Sequence, residues 1–330
     1  MKEKGKSRAR IVSSLCAPRC DPGRLTRRVL RRKERTMKKL RDVLADARDN
    51  KVAVGHFNVS DLTGLKAVFE SAQQLRLPVI VGLSEGERAF MGVRLASAAV
   101  RALRDEYDYP IFLNADHTHS LPGAEEAARA GFDSIVFDRS ELPFAQNVAE
   151  TKRAVEVLKE INPAILVEGE IGQIGTGSEI HAEAPQNLRL TTPDEAKEFV
   201  AATGIDILAP AVGNTHGLSR SMVLGEAQKR LNIGRVAEIS EATGLFLTLH
   251  GASGTNDGDL SQAIQAGITE IHINTELRLA WRRGLEKAFA ADRDQVVPYK
   301  LLPAAVDAMK QVVNARLLIF SGRPGMVSHG

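Results

Sequence analysis

The chain has 330 residues, 43% of them hydrophobic, enough to bury a large core, and it lacks any run of about 18 apolar residues that would span a membrane. Its net charge of +3 hides an uneven spread: residues 1–36 hold 13 of the 44 Lys and Arg but 3 of the 41 Asp and Glu, so this tail carries +10 and the body −7. Both cysteines, Cys16 and Cys20, lie in the tail, which excludes a disulfide framework for the body; a lone C-x3-C is a weak metal signal.

The tail, with Arg27, Arg28, Arg31, Arg32, Lys33 and Arg35, has the composition of a nucleic-acid arm or an organelle-targeting segment. Its acidic residues and lack of an apolar face weigh against targeting. The preferred reading is a disordered extension, or a translated leader ahead of a start at Met37, with residues 37–330 forming the domain. A cytoplasmic location without a nucleic-acid partner is expected.

From Met37 the pattern becomes regular. Met37 to Arg48 has helical spacing through Leu40, Val43, Leu44 and Ala47. Val52 to Val59 reads as a first strand, followed by a helix over Leu62 to Gln74; Pro78 to Leu83 is a second strand, ending at Ser84-Glu85-Gly86, and a helix over Val93 to Asp105 follows. Ile111-Phe112-Leu113 is a third strand, running into Asn114-Ala115-Asp116-His117-Thr118-His119. A helix over Gly123 to Ala130 precedes strand Ser134 to Asp138, and one over Ala145 to Ile161 precedes strand Ala164 to Glu170. After a long loop, Pro193 opens a helix that Gly204 closes. Ile207 to Val212, Leu245 to His250 and Ile271 to Asn274 complete eight strands. Eight βα units predict an α/β fold, a closed (β/α)8 TIM barrel. The rival, a doubly wound open sheet, would carry a glycine-rich turn after its first strand, and none is present.

Barrel chemistry gathers at the C-terminal ends of the strands. Asp116 and His117 follow the third strand, Asp138 ends the fourth, Glu170 the fifth, His216 follows the sixth and His250 ends the seventh. Three imidazoles from separate strands with an open position form a plausible catalytic zinc site. A second theme is glycine, in Gly213-Asn214-Thr215-His216-Gly217 and His250-Gly251-Ala252-Ser253-Gly254-Thr255. Such loops let backbone N–H groups converge on an anion, which suggests a phosphorylated substrate.

As a set, Gly55-His56-Phe57-Asn58-Val59, Asp116-His117, Val167-Glu168-Gly169-Glu170-Ile171-Gly172, Gly213 to Gly217, His250 to Gly254 and Asn274-Thr275-Glu276 resemble the class II, zinc-dependent fructose-bisphosphate and tagatose-bisphosphate aldolases, in order, from Met37 to Trp281. The resemblance implies that His117, His216 and His250 ligate the catalytic Zn2+, with Asp138 and Glu170 near a second or alternative metal position. It makes Asp116 the residue that exchanges a proton with the substrate C4 hydroxyl. Gly217, Gly251, Ala252, Ser253, His272, Asn274 and Thr275 then surround the dihydroxyacetone phosphate half, and Ser84 contacts the aldehyde half. A monovalent cation near the phosphate loop and a homodimer or higher homo-oligomer are further implications. Glu179 takes the role of the acid on the mobile loop if one residue is inserted. His272 stands where the family usually has asparagine, Glu270 where lysine is common, and Arg220 where a lysine often follows the His-Gly pair.

The expected reaction is therefore zinc-dependent, reversible cleavage of a ketose 1,6-bisphosphate, by default fructose 1,6-bisphosphate, within glycolysis and gluconeogenesis. Tagatose 1,6-bisphosphate or a related phosphorylated sugar is the alternative. No lysine falls in the sixth to eighth strands to form a Schiff base, which favours metal. Two readings from other classes are a metal-dependent hydrolase and a non-catalytic sugar-phosphate-binding barrel. His56 reads as flanking the site or packing at a strand end, His119 as an exposed-loop residue rather than a support for a ligand, His181 and His329 as non-catalytic, Ser321 to Gly325 as a flexible tail, and Trp281 as a core or interface anchor.

Overall fold

Eight short apolar segments, each too hydrophobic to leave one face in water, close on one another as a parallel barrel. A computed structural model describes residues 38–172, 174–175, 177–183 and 189–323. The strands are β1 (Val54–Asn58), β2 (Val79–Leu83), β3 (Ile111–Thr118), β4 (Ser134–Phe137), β5 (Leu166–Ile171), β7 (Ile207–Pro210), β9 (Phe246–Leu249) and β10 (Ile268–Ile273), and β10 pairs back onto β1 to close the ring. A small parallel pair, β6 (Ile180–His181) with β8 (Leu218–Ser219), stands outside it. The expected (β/α)8 barrel is thus the observed fold. The proposed tail, its two cysteines, Met37, His329 and Pro324-Gly325 lie outside the described residues.

Alternation along each strand sorts the barrel interior into layers. At the N-terminal end, Val54, Ile80, Phe112, Leu166, Ile207 and Phe246 pack on Leu40, Val43, Leu44 and Ala47 of α1 (Leu40–Asp49), which plugs the bottom of the barrel. Two residues further along, the interior turns polar. His56 Nε2 lies 3.2 Å from Asn114 Oδ1, and Asn114 Nδ2 donates to Ser134 Oγ at 2.8 Å, all buried. Gly82 belongs to this layer: a Cβ there would stand 2.0 Å from His56 Cε1, so only glycine leaves room for the imidazole. Gly82→Ala is accordingly expected to cost about 1–3 kcal/mol of stability through overpacking, measurable as a lower midpoint in thermal or urea unfolding.

The outer layer follows the alternating pattern, with α2 (Leu62–Leu75), α4 (Val93–Tyr107), α5 (Leu121–Ala130), α6 (Phe144–Ile161), α7 (Pro193–Thr203), α9 (Ile233–Thr243), α10 (Asp257–Ala266) and α11 (Thr275–Ala291). Their ends read as the sequence implies: Thr192 caps α7 in a capping box with Glu195, and Gly204 ends it in the left-handed region. Three elements were not anticipated. Short α3 (Glu85–Met91) follows β2, short α8 (Arg220–Val223) follows β8, and a 23-residue α12 (Pro298–Phe320) packs on α2 and α11. Ala305, Val306, Met309, Val313 and Leu317 form the buried stripe of α12, and Ala53 N donates to Phe320 O at 2.9 Å. Trp281 on α11 is 37% exposed, so the core reading of that residue is wrong.

Candidate active site

Strand alternation alone would send Asp116 and His117 to opposite faces. The β3–β4 register shifts between Ala115 and Thr118, and His117 adopts φ +39°, a left-handed value that a residue with a Cβ rarely takes. This bulge turns both side chains toward the barrel mouth. Arg88 of α3, itself buried, fixes the bulged end: Nη1 donates to Leu83 O at 2.6 Å and Asp116 O at 3.1 Å, and Nη2 to Thr118 Oγ1 at 3.0 Å.

Three imidazoles converge there. His117 and His216 have ring centroids 4.7 Å apart, as do His117 and His250, while His216 and His250 are 6.0 Å apart. His117 Nε2 lies 3.1 Å from His250 Nδ1, and one ligand atom from each of His117, His216, His250 and Glu170 falls within 4.8 Å of the others. Carboxylates hold the far sides of two rings: His117 Nδ1 is 2.8 Å from Asp138 Oδ2, and His250 Nε2 is 2.7 Å from Glu168 Oε1. His216 Nε2 is buried without any hydrogen-bond partner among the described residues.

The electrostatics follow from this crowding. Burial pulls the His117 imidazole down, but Asp116 and Asp138 override it and raise its pKa to about 9. Burial also pulls on His250, and Glu168 with Glu170 lifts it well above the ordinary value. His216, with no carboxylate at ion-pair distance among the described residues, is held far below it by desolvation and by the charges of His117 and His250. Glu170 is raised by burial and by Asp138.

Asp116 is almost wholly buried and heavily supported. Its Oδ2 accepts from Asn58 Nδ2 at 2.8 Å, and its Oδ1 lies 3.3 Å from His272 Nδ1 and 3.7 Å from His117 Nε2. Burial would raise this carboxyl, but His117 and His272 outweigh it and hold Asp116 well below the ordinary range. Asn58 also donates to Glu87 Oε2 at 2.9 Å, and Arg278 Nη2 donates to Glu87 Oε1 at 2.7 Å. His272 stacks on His56 at 3.4 Å between centroids and its Nε2 meets Glu270 Oε1 at 3.0 Å.

A narrow cleft at the mouth is lined by Asp116, His117, His216, Gly217, Gly251, Ser253, His272, Asn274 and Thr275, all anticipated, together with Asn58 and Ser178. Gly251 has φ +59°, and a Cβ there would meet Thr215 O at 2.3 Å, so the two glycine loops touch only because this residue lacks a side chain. Thr275 opens α11 toward the same cleft.

Other anticipated residues sit at its margins. Asp138 is engaged by His117 and by Ser140, whose N and Oγ lie 3.0 and 2.7 Å from Oδ1. Glu170 projects into the imidazole cluster, with Oε2 3.1 Å from His250 Nδ1. Ala252 is buried behind the glycine loop, and Ser84 is partly buried with its N–H donating to Glu87 Oε2 at 2.8 Å; neither lines the cleft. Glu179 is exposed beside the cleft: its carbonyl accepts from Leu218 N at 2.9 Å, and its neighbour Ser178 is tied through its carbonyl to Arg278 Nη1 at 3.1 Å. His119 bridges Glu85 at 3.2 Å and approaches Asp138 at 3.6 Å.

One residue went unnoticed in the sequence. Lys229, between β8 and β9, is buried, and its Nζ donates to Thr215 O at 2.6 Å, Gly217 O at 2.6 Å, Gly251 O at 3.0 Å and Ser253 O at 2.7 Å. Burial pushes its pKa down to about 8. With its hydrogens shared among four carbonyls it stands behind the loops, and no lysine lines the cleft among the described residues.

Comparison with known proteins gives the family of the chain. The model of the family "Fructose-bisphosphate aldolase class-II" matches residues 38–323, reaching past Trp281 to the end of α12. The chain is 34% identical over 282 residues to a probable fructose-bisphosphate aldolase of Bacillus subtilis, covering 84% of this chain and 95% of that protein. It is 34% identical over 284 residues to the fructose-bisphosphate aldolase of Staphylococcus aureus, covering 85% and 96%. Among solved structures, the YdjI aldolase of Escherichia coli K12 superposes with a TM-score of 0.72 at 29% identity, over 89% of this chain and all of that one. A match of the family model over nearly the whole barrel, with relatives at this identity, places the chain in the class II fructose-bisphosphate aldolase family.

Proposed function

We propose that the chain catalyses zinc-dependent, reversible aldol cleavage of a ketose 1,6-bisphosphate, with fructose 1,6-bisphosphate as substrate and dihydroxyacetone phosphate and glyceraldehyde 3-phosphate as products. The observation that carries the reading is the cluster of partly buried His117 and His216 with buried His250, in which the buried His216 Nε2 has no hydrogen-bond partner among the described residues, directly beside Asp116. A buried polar nitrogen without a partner is costly, and a cation that accepts its lone pair removes the cost. Three imidazoles with carboxylates fixing two of them from behind suit zinc. When bound, the metal supplies a Lewis acid that draws charge from the ketone oxygen.

The chain's own groups do the rest. Asp116, kept ionised and held by Asn58, takes the proton of the C4 hydroxyl. The C4 oxygen becomes the aldehyde as the C3–C4 bond breaks, and the bonding pair moves onto C3 and the C2 oxygen as an enediolate. Glu179, on the loop whose Ser178 lines the cleft, is the proposed acid that returns a proton to C3. Gly217, Gly251, Ser253, Asn274 and Thr275 receive the phosphate of the dihydroxyacetone half. Ser84 is assigned to the aldehyde half. His272 holds Asp116 and shapes the cleft where asparagine is usual in the family.

The outer carboxylates provide a graded test. Asp138→Asn and Glu168→Gln should each weaken zinc binding about 10–100-fold, read by competition with a chromogenic chelator, because each removes the acceptor that orients a ligating ring. The substrate assignment is tested by running fructose and tagatose 1,6-bisphosphates side by side through a coupled assay. Faster cleavage of fructose bisphosphate supports the reading; preference for tagatose bisphosphate reverses it at C4.

A further inference from the structure

Lys229 carries an inference of its own. Its ammonium sits in a cage of four backbone carbonyls, two from each glycine loop, at 2.6–3.0 Å. Its own backbone is pinned in place, with Lys229 N donating to Gly254 O at 2.9 Å and Asn256 N donating to Lys229 O at 3.1 Å. Among the described residues no carboxylate lies within ion-pair distance of Nζ. The carboxylate that acts on it most, Glu276, is already paired with Arg316 at 2.8 and 2.7 Å. Carbonyl dipoles alone therefore solvate this charge, as they would a bare cation. The residues whose carbonyls it holds include Gly217, Gly251 and Ser253, which line the cleft.

We propose that Lys229 is a positioning residue whose ammonium acts as a built-in monovalent cation, clamping the two glycine loops into the shape that accepts a substrate phosphate and leaving a net positive charge behind it. The proposal rests on the phosphorylated-ketose reading above. A peptide plane whose carbonyl is drawn backward must present its N–H on the other side, so the clamp fixes the direction of the loop amides. Three of the four amides that follow the clamped carbonyls are held within the protein, His216 N by Ile174 O at 3.0 Å, Leu218 N by Glu179 O at 2.9 Å and Gly254 N by Glu276 Oε1 at 2.7 Å, so the clamp acts by setting the shape of the two loops and by steadying the segment that carries Glu179. The consequence is that phosphate binding should not depend on an added alkali cation.

The test uses the zinc-loaded full chain in tetramethylammonium buffer, with binding of inorganic phosphate followed by calorimetry and KM and kcat measured on fructose 1,6-bisphosphate. Wild type should bind phosphate equally with and without added K+. Lys229→Ala should bind phosphate about 10–100-fold more weakly and raise KM by a similar factor, the loss of one charge-assisted contact set, with kcat much less affected. Added K+ or NH4+ should restore most of that loss in Lys229→Ala. Lys229→Met, whose apolar stem fills the cage, should show the loss without the rescue. Wild type whose phosphate affinity climbs about tenfold with K+, the size of a single strong contact, would overturn the proposal even if neither variant folds. So would a Lys229→Ala protein that binds phosphate as tightly as wild type. Wild type that binds phosphate but cleaves neither ketose bisphosphate overturns only the proposed reaction, whereas wild type that binds no phosphate in either buffer overturns the clamp.

Discussion

Asp116→Asn is expected to lower kcat for ketose bisphosphate cleavage by about 10²–10⁴-fold, the range of a lost general base. The amide preserves the shape of the carboxylate and can still accept from Asn58 Nδ2, which lies 2.8 Å from Oδ2 in the native chain. It cannot take the C4 hydroxyl proton. Zinc content and KM should therefore stay close to wild type. A second readout separates this role from a merely structural one. Exchange of the C3 proton of dihydroxyacetone phosphate with solvent involves no C4 hydroxyl, so it should persist in Asp116→Asn while cleavage fails. A variant that cleaves within about tenfold of wild type would remove Asp116 from the role, since general bases contribute more than that.

His216→Ala should have the other large effect. His216 offers a buried Nε2 with no hydrogen-bond partner among the described residues, so its loss removes a proposed neutral zinc donor and leaves only the Glu170 carboxylate beside the two remaining imidazoles. Zinc affinity should fall by more than the about 10–100-fold expected for an outer carboxylate. Activity should fall with it and should return only partly at high zinc. The stability gained from zinc should shrink too: a metal at about 1,000 times its Kd adds about 4 kcal/mol to the folded state, and the variant should lose most of that increment in thermal unfolding. Retention of full zinc stoichiometry and activity would show that the cluster binds metal through other atoms.

The barrel was legible because parallel strands buried on both faces are written as apolar runs between turn residues, from Val79-Ile80-Val81 to Ile271-His272-Ile273. The histidines were legible because His117 and His250 fall where strands end and His216 sits in the glycine loop that follows β7. Other features are three-dimensional and leave weaker marks. Period-two reasoning cannot place Asp116 and His117 on one face; the bulge at φ +39° does that. Glu168 stood inside a quoted motif, but its contact with His250 Nε2 depends on the β5–β7–β9 order of the barrel. Lys229 lies in a stretch with no clear periodicity, 12 residues past Gly217, and only the folded loops bring four carbonyls to it. By contrast, α12 was readable in the spacing of Ala305, Val306, Met309, Val313 and Leu317, which lies beyond the site motifs.

The central claim is that a zinc held by His117, His216 and His250 lets Asp116 break a carbon–carbon bond. It is tested most directly by cleavage of fructose 1,6-bisphosphate with the purified protein before chelation, after exhaustive treatment with EDTA, and after zinc is added back. Turnover that EDTA abolishes and zinc restores, with one zinc per chain regained, is the predicted result. Turnover that survives EDTA, with borohydride trapping the substrate on a lysine, would contradict the account.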